Sequence, residues 1–159
     1  ARDLGADYCN FTVVNSSDFG SRIPAVDFPG HESAPPGRVR IDPALLREQL
    51  GAVVEESRRG GAQVRFSPFG ITPGEIARYY DDRSDPAAYR CYTPWRMLGL
   101  SAYGEMSSCP FLTLGNIRER RPREVWNGPV QARFRERLRE RGIFPACAGC
   151  CAATYRPPR

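Results

Sequence analysis

Cysteine spacing is the feature that most constrains this chain of 159 residues. Most of its cysteines lie in the second half, and two of them form a Cys-x-x-Cys pair directly after a charged helical segment. These second-half cysteines are Cys91, Cys109, Cys147, Cys150 and Cys151. A Cys-x-x-Cys pair lets two thiolates bind one centre without strain, and two further cysteines complete a set of four. The spacing therefore predicts a four-thiolate metal site, with Cys151 as the alternative to Cys150.

Four thiolates suit either Zn²⁺ or a [4Fe–4S] cluster, and the residues alone leave both open, with zinc slightly preferred. A disulfide pair is the remaining use of these cysteines. Adjacent cysteines such as Cys150 and Cys151 rarely bridge each other, and residues 1–7 contain no apolar core of an export signal. We therefore expect a metal site in a cytoplasmic protein. Cys9 is distant in sequence and is predicted to be a small buried core residue.

The charge of the chain is a weaker guide. The formal net charge is +5, and every basic residue is arginine. A basic balance can indicate nucleic-acid binding, but a uniform preference for arginine is more simply a compositional bias than a selected patch. Nucleic-acid binding is therefore not expected. No run of about 20 apolar residues occurs, which predicts that the chain does not cross a membrane. We interpret the missing initiator methionine as a sign of a longer protein.

Strand and helix patterns alternate in the first half, which predicts a parallel α/β arrangement. Asp42 is a suitable N-cap before a helix that carries apolar residues on one face. Thr72 and Glu75 form a capping-box pattern at the start of a second helix. The predicted elements are the end of a helix over 1–5, a strand over 7–14, a loop over 15–40, a helix from Pro43 to about Gly60, a strand over 62–66 and a helix from Pro73 to about Tyr80.

The second half predicts a hairpin and two helices. Cys91 and Cys109 bracket the hairpin, so that its ends bring both sulfurs to one site. The predicted elements are a strand over 96–103, a turn at Gly104, a returning strand over 106–109, a turn over 114–117, and helices over 122–126 and 129–141. The polar segment 81–88 is interpreted as a linker between two units, 1–80 and 89–159.

Several motifs of the second half occur in an order that resembles the SPASM domain and the shorter, related twitch domain. These domains follow the catalytic barrel of many radical S-adenosylmethionine (radical SAM) enzymes. The resemblance covers roughly residues 89–152. Its motifs are Cys91-Tyr92-Thr93-Pro94-Trp95, Gly104-x-x-x-x-Cys109, Leu114-Gly115-Asn116-Ile117, Glu124-Val125-Trp126-Asn127-Gly128, Phe134-Arg135 and Cys147-x-x-Cys150-Cys151. The first half is similar, less specifically, to the closing repeats of a radical SAM barrel.

The resemblance implies an α+β or α/β chain in which the last strand–helix repeats of a partial (β/α) barrel precede a small SPASM or twitch domain. That domain would be a β-hairpin plus helices around one auxiliary [4Fe–4S] cluster. The implied ligands are Cys91, Cys109, Cys147 and Cys150. An auxiliary cluster supports radical-based modification or oxidation of a substrate by electron transfer. The alternative remains a four-cysteine zinc module that binds nucleic acid or protein.

A complete radical SAM enzyme also needs S-adenosylmethionine and a second [4Fe–4S] cluster, held by a Cys-x-x-x-Cys-x-x-Cys loop. This chain contains no such triplet, so we expect it to be inactive alone. The partners implied by the resemblance are a peptide or small-molecule substrate and a reductant such as a ferredoxin or flavodoxin. The single histidine, His31, is predicted to be an exposed loop residue. Trp95 and the pair Tyr79-Tyr80 are predicted to serve packing.

Overall fold

Short strands and helices alternate along the part of the chain that the computed structural model describes, which comprises residues 5–13, 40–109, 112–144, 147 and 149–156. In chain order the elements are β1 (Tyr8–Thr12), α1 (Pro43–Arg58), β2 (Gln63–Ser67), α2 (Pro73–Tyr80), β3 (Tyr89–Cys91), β4 (Gly99–Leu100), β5 (Glu105–Cys109), β6 (Leu112–Asn116), α3 (Pro122–Trp126), α4 (Pro129–Arg141) and β7 (Ala153–Tyr155). Single 3₁₀ turns occupy Pro86–Ala88 and Thr93–Trp95. This mixed α/β content is compatible with a small SPASM domain. The predicted helix end over 1–5, nearly all of the predicted loop over 15–40, and His31 lie outside the described residues.

The first half contains a parallel strand pair with a helix between its strands in sequence. β1 pairs with β2 in register from Tyr8 opposite Gln63 to Thr12 opposite Ser67. Parallel neighbours require a crossover connection, and α1 forms part of it. Along β1 the exposed residues alternate with the half-buried Cys9 and Phe11, so one face of the sheet packs inward and the other is polar.

Local capping interactions set the start of both helices of the first half. The Asp42 carboxylate accepts hydrogen bonds from the backbone N–H groups of Ala44 and Leu45 at 2.8 and 3.2 Å, which satisfies two donors of the first turn of α1. Thr72 Oγ1 accepts from the backbone N–H of Glu75 at 3.2 Å at the start of α2. These predicted helix starts are confirmed.

The side chain of Glu75 turns into the protein. Its Oε1 atom accepts from Ser84 Oγ at 2.7 Å and from the Tyr89 hydroxyl at 3.1 Å. Glu75 is only 4 % exposed, so these bonds offset the cost of burying a carboxylate. They also join α2 to the residues that lead into β3, across the segment that the sequence suggested was a linker.

The hairpin of the second half differs from its prediction. Instead of a strand over 96–103, only β4 is extended, and it pairs with β5. The turn predicted over 114–117 is wrong, because most of that segment belongs to β6, which pairs antiparallel with β5. Cross-strand pairing is a non-local effect, and it overrides the local turn preference of the Gly115-Asn116 dipeptide.

Two hydrophobic cores occur in the described part of the chain. The first core contains buried residues from both halves, and the second lies entirely in the second half. The first core consists of Val13, Leu50, Ile71, Ile76, Tyr79, Ala88, Tyr89, Ile143 and Ala153. The second core consists of Leu112, Phe134, Leu138 and Phe144. The division into 1–80, 81–88 and 89–159 stays a prediction. The first core contains residues from both predicted units.

Candidate metal centre

Two strand ends place the first pair of candidate ligands. Cys91 is the last residue of β3, and its backbone N–H donates to the carbonyl of Gly142, just after α4, at 3.1 Å. Cys109 is the last residue of β5 and stands opposite Leu112 of β6. Cys91 therefore does not flank the hairpin as predicted: β3 belongs to a different sheet from β4, β5 and β6.

A tight turn places the second pair. The backbone N–H of Cys147 donates to the Phe144 carbonyl at 2.9 Å, and that of Cys150 donates to the Cys147 carbonyl at 3.0 Å. Gly149 within the turn has a positive φ of 75°, a conformation that glycine adopts without steric cost. A Cβ atom there would lie 2.5 Å from the Tyr79 hydroxyl oxygen. The turn thus rests directly on a buried side chain of α2.

A strand that the sequence analysis missed brings the two pairs together. β7 follows the cysteine turn and pairs antiparallel with β3, with Ala153 directly opposite Cys91. The backbone N–H of Tyr155 also donates to the Phe69 carbonyl at 2.8 Å. β7 therefore anchors the cysteine turn to β3 and to the first half. Its three residues are too few for a periodic pattern, so no local signal identifies it.

The four candidate ligands lie between the two cores. Cys91 and Cys147 pack against both cores, Cys150 packs against the first and Cys109 against the second. Burial raises the pKa of the Cys147 thiol, and Cys150, Cys91 and Cys109 raise it further. Burial is also the main reason that the pKa of Cys150 is raised.

Thiol chemistry determines what such a centre can hold. Soft thiolates favour zinc or iron–sulfur clusters over hard cations. In the described residues, which include all six cysteines, no three Cys, His, Asp or Glu side chains are positioned to hold a single metal ion. The thiolates around a [4Fe–4S] cluster bind four different irons, so they need not converge on one point. By donor type, the four thiols fit an iron–sulfur cluster or a zinc ion.

The remaining cysteines are placed differently. Cys151 is exposed and lines a cavity of about 570 Å³ beside Arg65 and Phe69 of the first half. Cys9 is half-buried rather than a fully buried core residue, because it lines a cavity of about 830 Å³ next to α1. The predicted role of Cys9 in a closed core is therefore only partly correct.

One buried polar residue at the centre was also missed. Gln131 of α4 is fully buried, and its Nε2 atom donates to the Pro94 carbonyl and to Ser108 Oγ, both at 2.9 Å. Pro94 follows the Cys91 strand, and Ser108 precedes Cys109. Gln131 thus ties the two ligand-bearing segments to one helix. It lies three residues before Phe134 on the buried face of α4. A polar residue on an apolar helix face is the sequence feature that could have identified it.

Fold and site together define a small mixed α/β domain with a thiol-lined centre. Residues 91–151 match the family model of SPASM, an iron–sulfur cluster-binding domain. The match begins at the first candidate ligand and ends at the last cysteine, and it confirms the resemblance found in the sequence. No curated protein and no solved structure matches the chain. Throughout the described ranges, no helix is both long enough and apolar enough to span a membrane.

Proposed function

We propose that Cys91, Cys109, Cys147 and Cys150 bind one [4Fe–4S] cluster, and that the chain is the C-terminal part of a radical SAM enzyme in which this cluster is auxiliary. The observation that carries the proposal is the packing of the four cysteines on the two cores, with Cys91 and Cys147 on both, inside a region that matches an iron–sulfur domain. Cys150 is preferred to Cys151 because it packs against the first core, whereas Cys151 is exposed.

The first half supports the enzyme context. Parallel strands β1 and β2, with α1 between them in sequence, have the arrangement of one strand–helix–strand repeat of a (β/α) barrel. In this proposal they are the last repeats of a partial barrel. S-adenosylmethionine and the cluster that cleaves it would be bound by another part of the full-length enzyme, together with a peptide or small-molecule substrate.

The residues around the centre determine what a cluster can do there. When bound, a [4Fe–4S] cluster supplies a one-electron store. Four protein thiolates leave no iron free for a substrate, which favours electron transfer over substrate ligation. Cys147 packs against both cores and is only partly exposed, and the backbone bonds of the cysteine turn hold its segment in place. The raised pKa values of Cys147 and Cys150 make loss of their protons costly. The free energy of binding a cluster would offset that cost.

Metal and sulfide analysis of the anaerobically reconstituted chain tests this proposal. We expect about four irons and four sulfides per chain, no stoichiometric zinc, and an electron paramagnetic resonance signal after reduction. Zinc without sulfide would instead establish the four-cysteine zinc module. Iron bound without the predicted stoichiometry would contradict the assignment of a single four-iron cluster.

A further inference from the structure

The positive charge of the chain is concentrated in one segment. Residues 118–141 contain nine arginines and four glutamates, an excess of +5 that equals the formal net charge of the whole chain. The other 14 arginines are balanced by 14 acidic residues. A compositional bias alone would distribute arginine along the chain independently of the acidic residues. This distribution therefore argues that the segment, which contains α3 and α4, has a basic surface for a reason of its own.

Arginines cover the aromatic side chains of the motif that begins at Cys91. The guanidinium groups of Arg96 and Arg156 stand 5.2 and 5.3 Å from the ring centre of Tyr92. That of Arg139, on α4, stands 5.5 Å from the ring centre of Trp95. Cation–π contacts of this kind hold a guanidinium in place while leaving its charge available.

The second tryptophan extends this surface. The guanidinium of Arg135 lies 4.6 Å from the ring centre of Trp126, and its Nε atom donates to the Pro94 carbonyl at 2.9 Å. Burial, and then the charge of Arg139, lower the pKa of Arg135, so the two groups repel each other. We call this the arginine–aromatic surface. It consists of Arg96, Arg135, Arg139 and Arg156 with the rings of Tyr92, Trp95 and Trp126.

Within the described residues, the arginines of this surface have no carboxylate as a counter-charge. In the described part of the chain the ion pairs involve Arg58, Arg78, Arg83 and Arg137, and none of the four surface arginines pairs with a carboxylate. Close, unneutralised cations are unfavourable. An approaching group with negative charge would relieve that repulsion.

The surface is also next to the candidate centre. Trp95 packs against the second core, together with Cys91, Cys109 and Cys147, while its ring also meets Arg139. Trp95 therefore links the charged surface to the core on which these cysteines lie. A partner bound over Trp95 would therefore lie on the same small core as three of the candidate ligands.

We propose that the arginine–aromatic surface docks an acidic one-electron carrier protein, of the flavodoxin or ferredoxin class, over Trp95. This inference rests on the proposed function. In the exchange the reduced cluster loses one electron and the oxidised carrier gains it; a flavin carrier takes any proton it needs from solvent, and no bond forms between the two proteins. A nucleic acid fits less well, because stacking of bases needs open ring faces and here guanidinium groups occupy them.

The test compares two double variants with the same change in charge. The Arg96→Glu/Arg139→Glu variant alters the surface, whereas Arg58→Glu/Arg59→Glu changes exposed arginines at the end of α1. Arg135 is left intact because it also bonds the Pro94 carbonyl. Binding of an acidic flavodoxin to the cluster-loaded chain is measured by biolayer interferometry at low and high salt. Electron transfer to the same flavodoxin is followed by stopped-flow absorbance.

We expect the surface variant to weaken binding and slow electron transfer about tenfold or more at low salt, with the control within twofold of the unaltered chain. High salt should remove most of the difference. Equal binding by both variants would overturn the proposal, as would tighter binding of single-stranded DNA than of flavodoxin. If the double variant fails to load iron, Arg156→Gln replaces it, with an expected weakening of at least twofold.

Iron and sulfide content, measured on the same samples, distinguishes failure of the docking proposal from failure of the cluster assignment. A chain with its full iron and sulfide content that does not bind flavodoxin contradicts the docking surface alone and leaves the cluster assignment intact. A chain that binds no iron contradicts the proposed function, and the docking proposal fails with it. An altered reduction potential without altered binding in the surface variant would show that the arginines only offset cluster charge, which also overturns docking.

Discussion

The two hydrophobic cores differ in how far they depend on the metal centre. Among the described residues, the first core draws nine buried side chains from both halves of the chain, whereas the second contains four, all from the second half. Cys91, Cys109 and Cys147 pack directly against the smaller core. A core of four residues buries little apolar surface. Three candidate ligands pack against each core, so we expect the smaller core, which buries less apolar surface of its own, to depend more on a bound centre than the larger one.

Loss of a central ligand should have the largest effect. Because Cys147 packs against both cores, we expect Cys147→Ala to reduce iron from about four per chain to less than one. Hydrogen exchange should then accelerate strongly in β5, β6 and α4 and only slightly in α1. Cys9→Ala is the matched control, and it should keep its iron. Uniform acceleration across both halves would show that the two cores do not differ in their dependence on the metal.

A change in the cysteine turn tests the contact between the centre and the first core. Gly149→Ala requires a positive φ from a residue with a Cβ and places that atom against Tyr79, at an expected cost of about 2–4 kcal/mol in the free energy of unfolding. Gly51→Ala is the control. That position is in α1 with no atom within 4 Å of the added Cβ, so it should stabilise the protein by about 0.5–1 kcal/mol.

Urea titration of the metal-free chain measures both glycine variants. Iron content after reconstitution provides the second readout, and it should fall only for Gly149→Ala. If Gly149→Ala unfolds at the same urea concentration as the unaltered chain, the turn does not rest on Tyr79.

The second core is tested through the glutamine that ties the two ligand segments together. Gln131→Leu keeps a similar volume but removes the donor to Ser108 Oγ and leaves the Pro94 carbonyl with Arg135 Nε as its remaining donor. We expect a loss of about 1–3 kcal/mol in the free energy of unfolding and a faster loss of iron to a chelator. Gln49→Leu, on α1, is the control for the same exchange on another helix. Unchanged iron release would mean that Gln131 supports the helix and not the ligands.

The same contrast explains what could be predicted from the sequence. Helices α1 and α2 were predicted because their starts depend on neighbours in the chain, such as the Asp42 carboxylate and the bonds it accepts within three residues. The strands β6 and β7 were missed because their partners, β5 and β3, determine them. The five clustered cysteines were found from their spacing, whereas the supporting role of Gln131 depends on a fold that brings Pro94 and Ser108 to one helix. The ligand set itself stays a prediction.

The smallest effect is expected at Cys151, the exposed cysteine. Cys151 is exposed and lines a cavity on the side of the first half, so Cys151→Ala should change the free energy of unfolding by less than about 0.5 kcal/mol and leave the iron and sulfide content unchanged. Cys150→Ala, one residue earlier, removes a thiol that packs against the first core and should lose the cluster. The pair therefore decides which of two adjacent cysteines is the fourth ligand. If the two variants exchange these outcomes, the turn presents Cys151 to the centre and the preference for the more buried thiol is wrong.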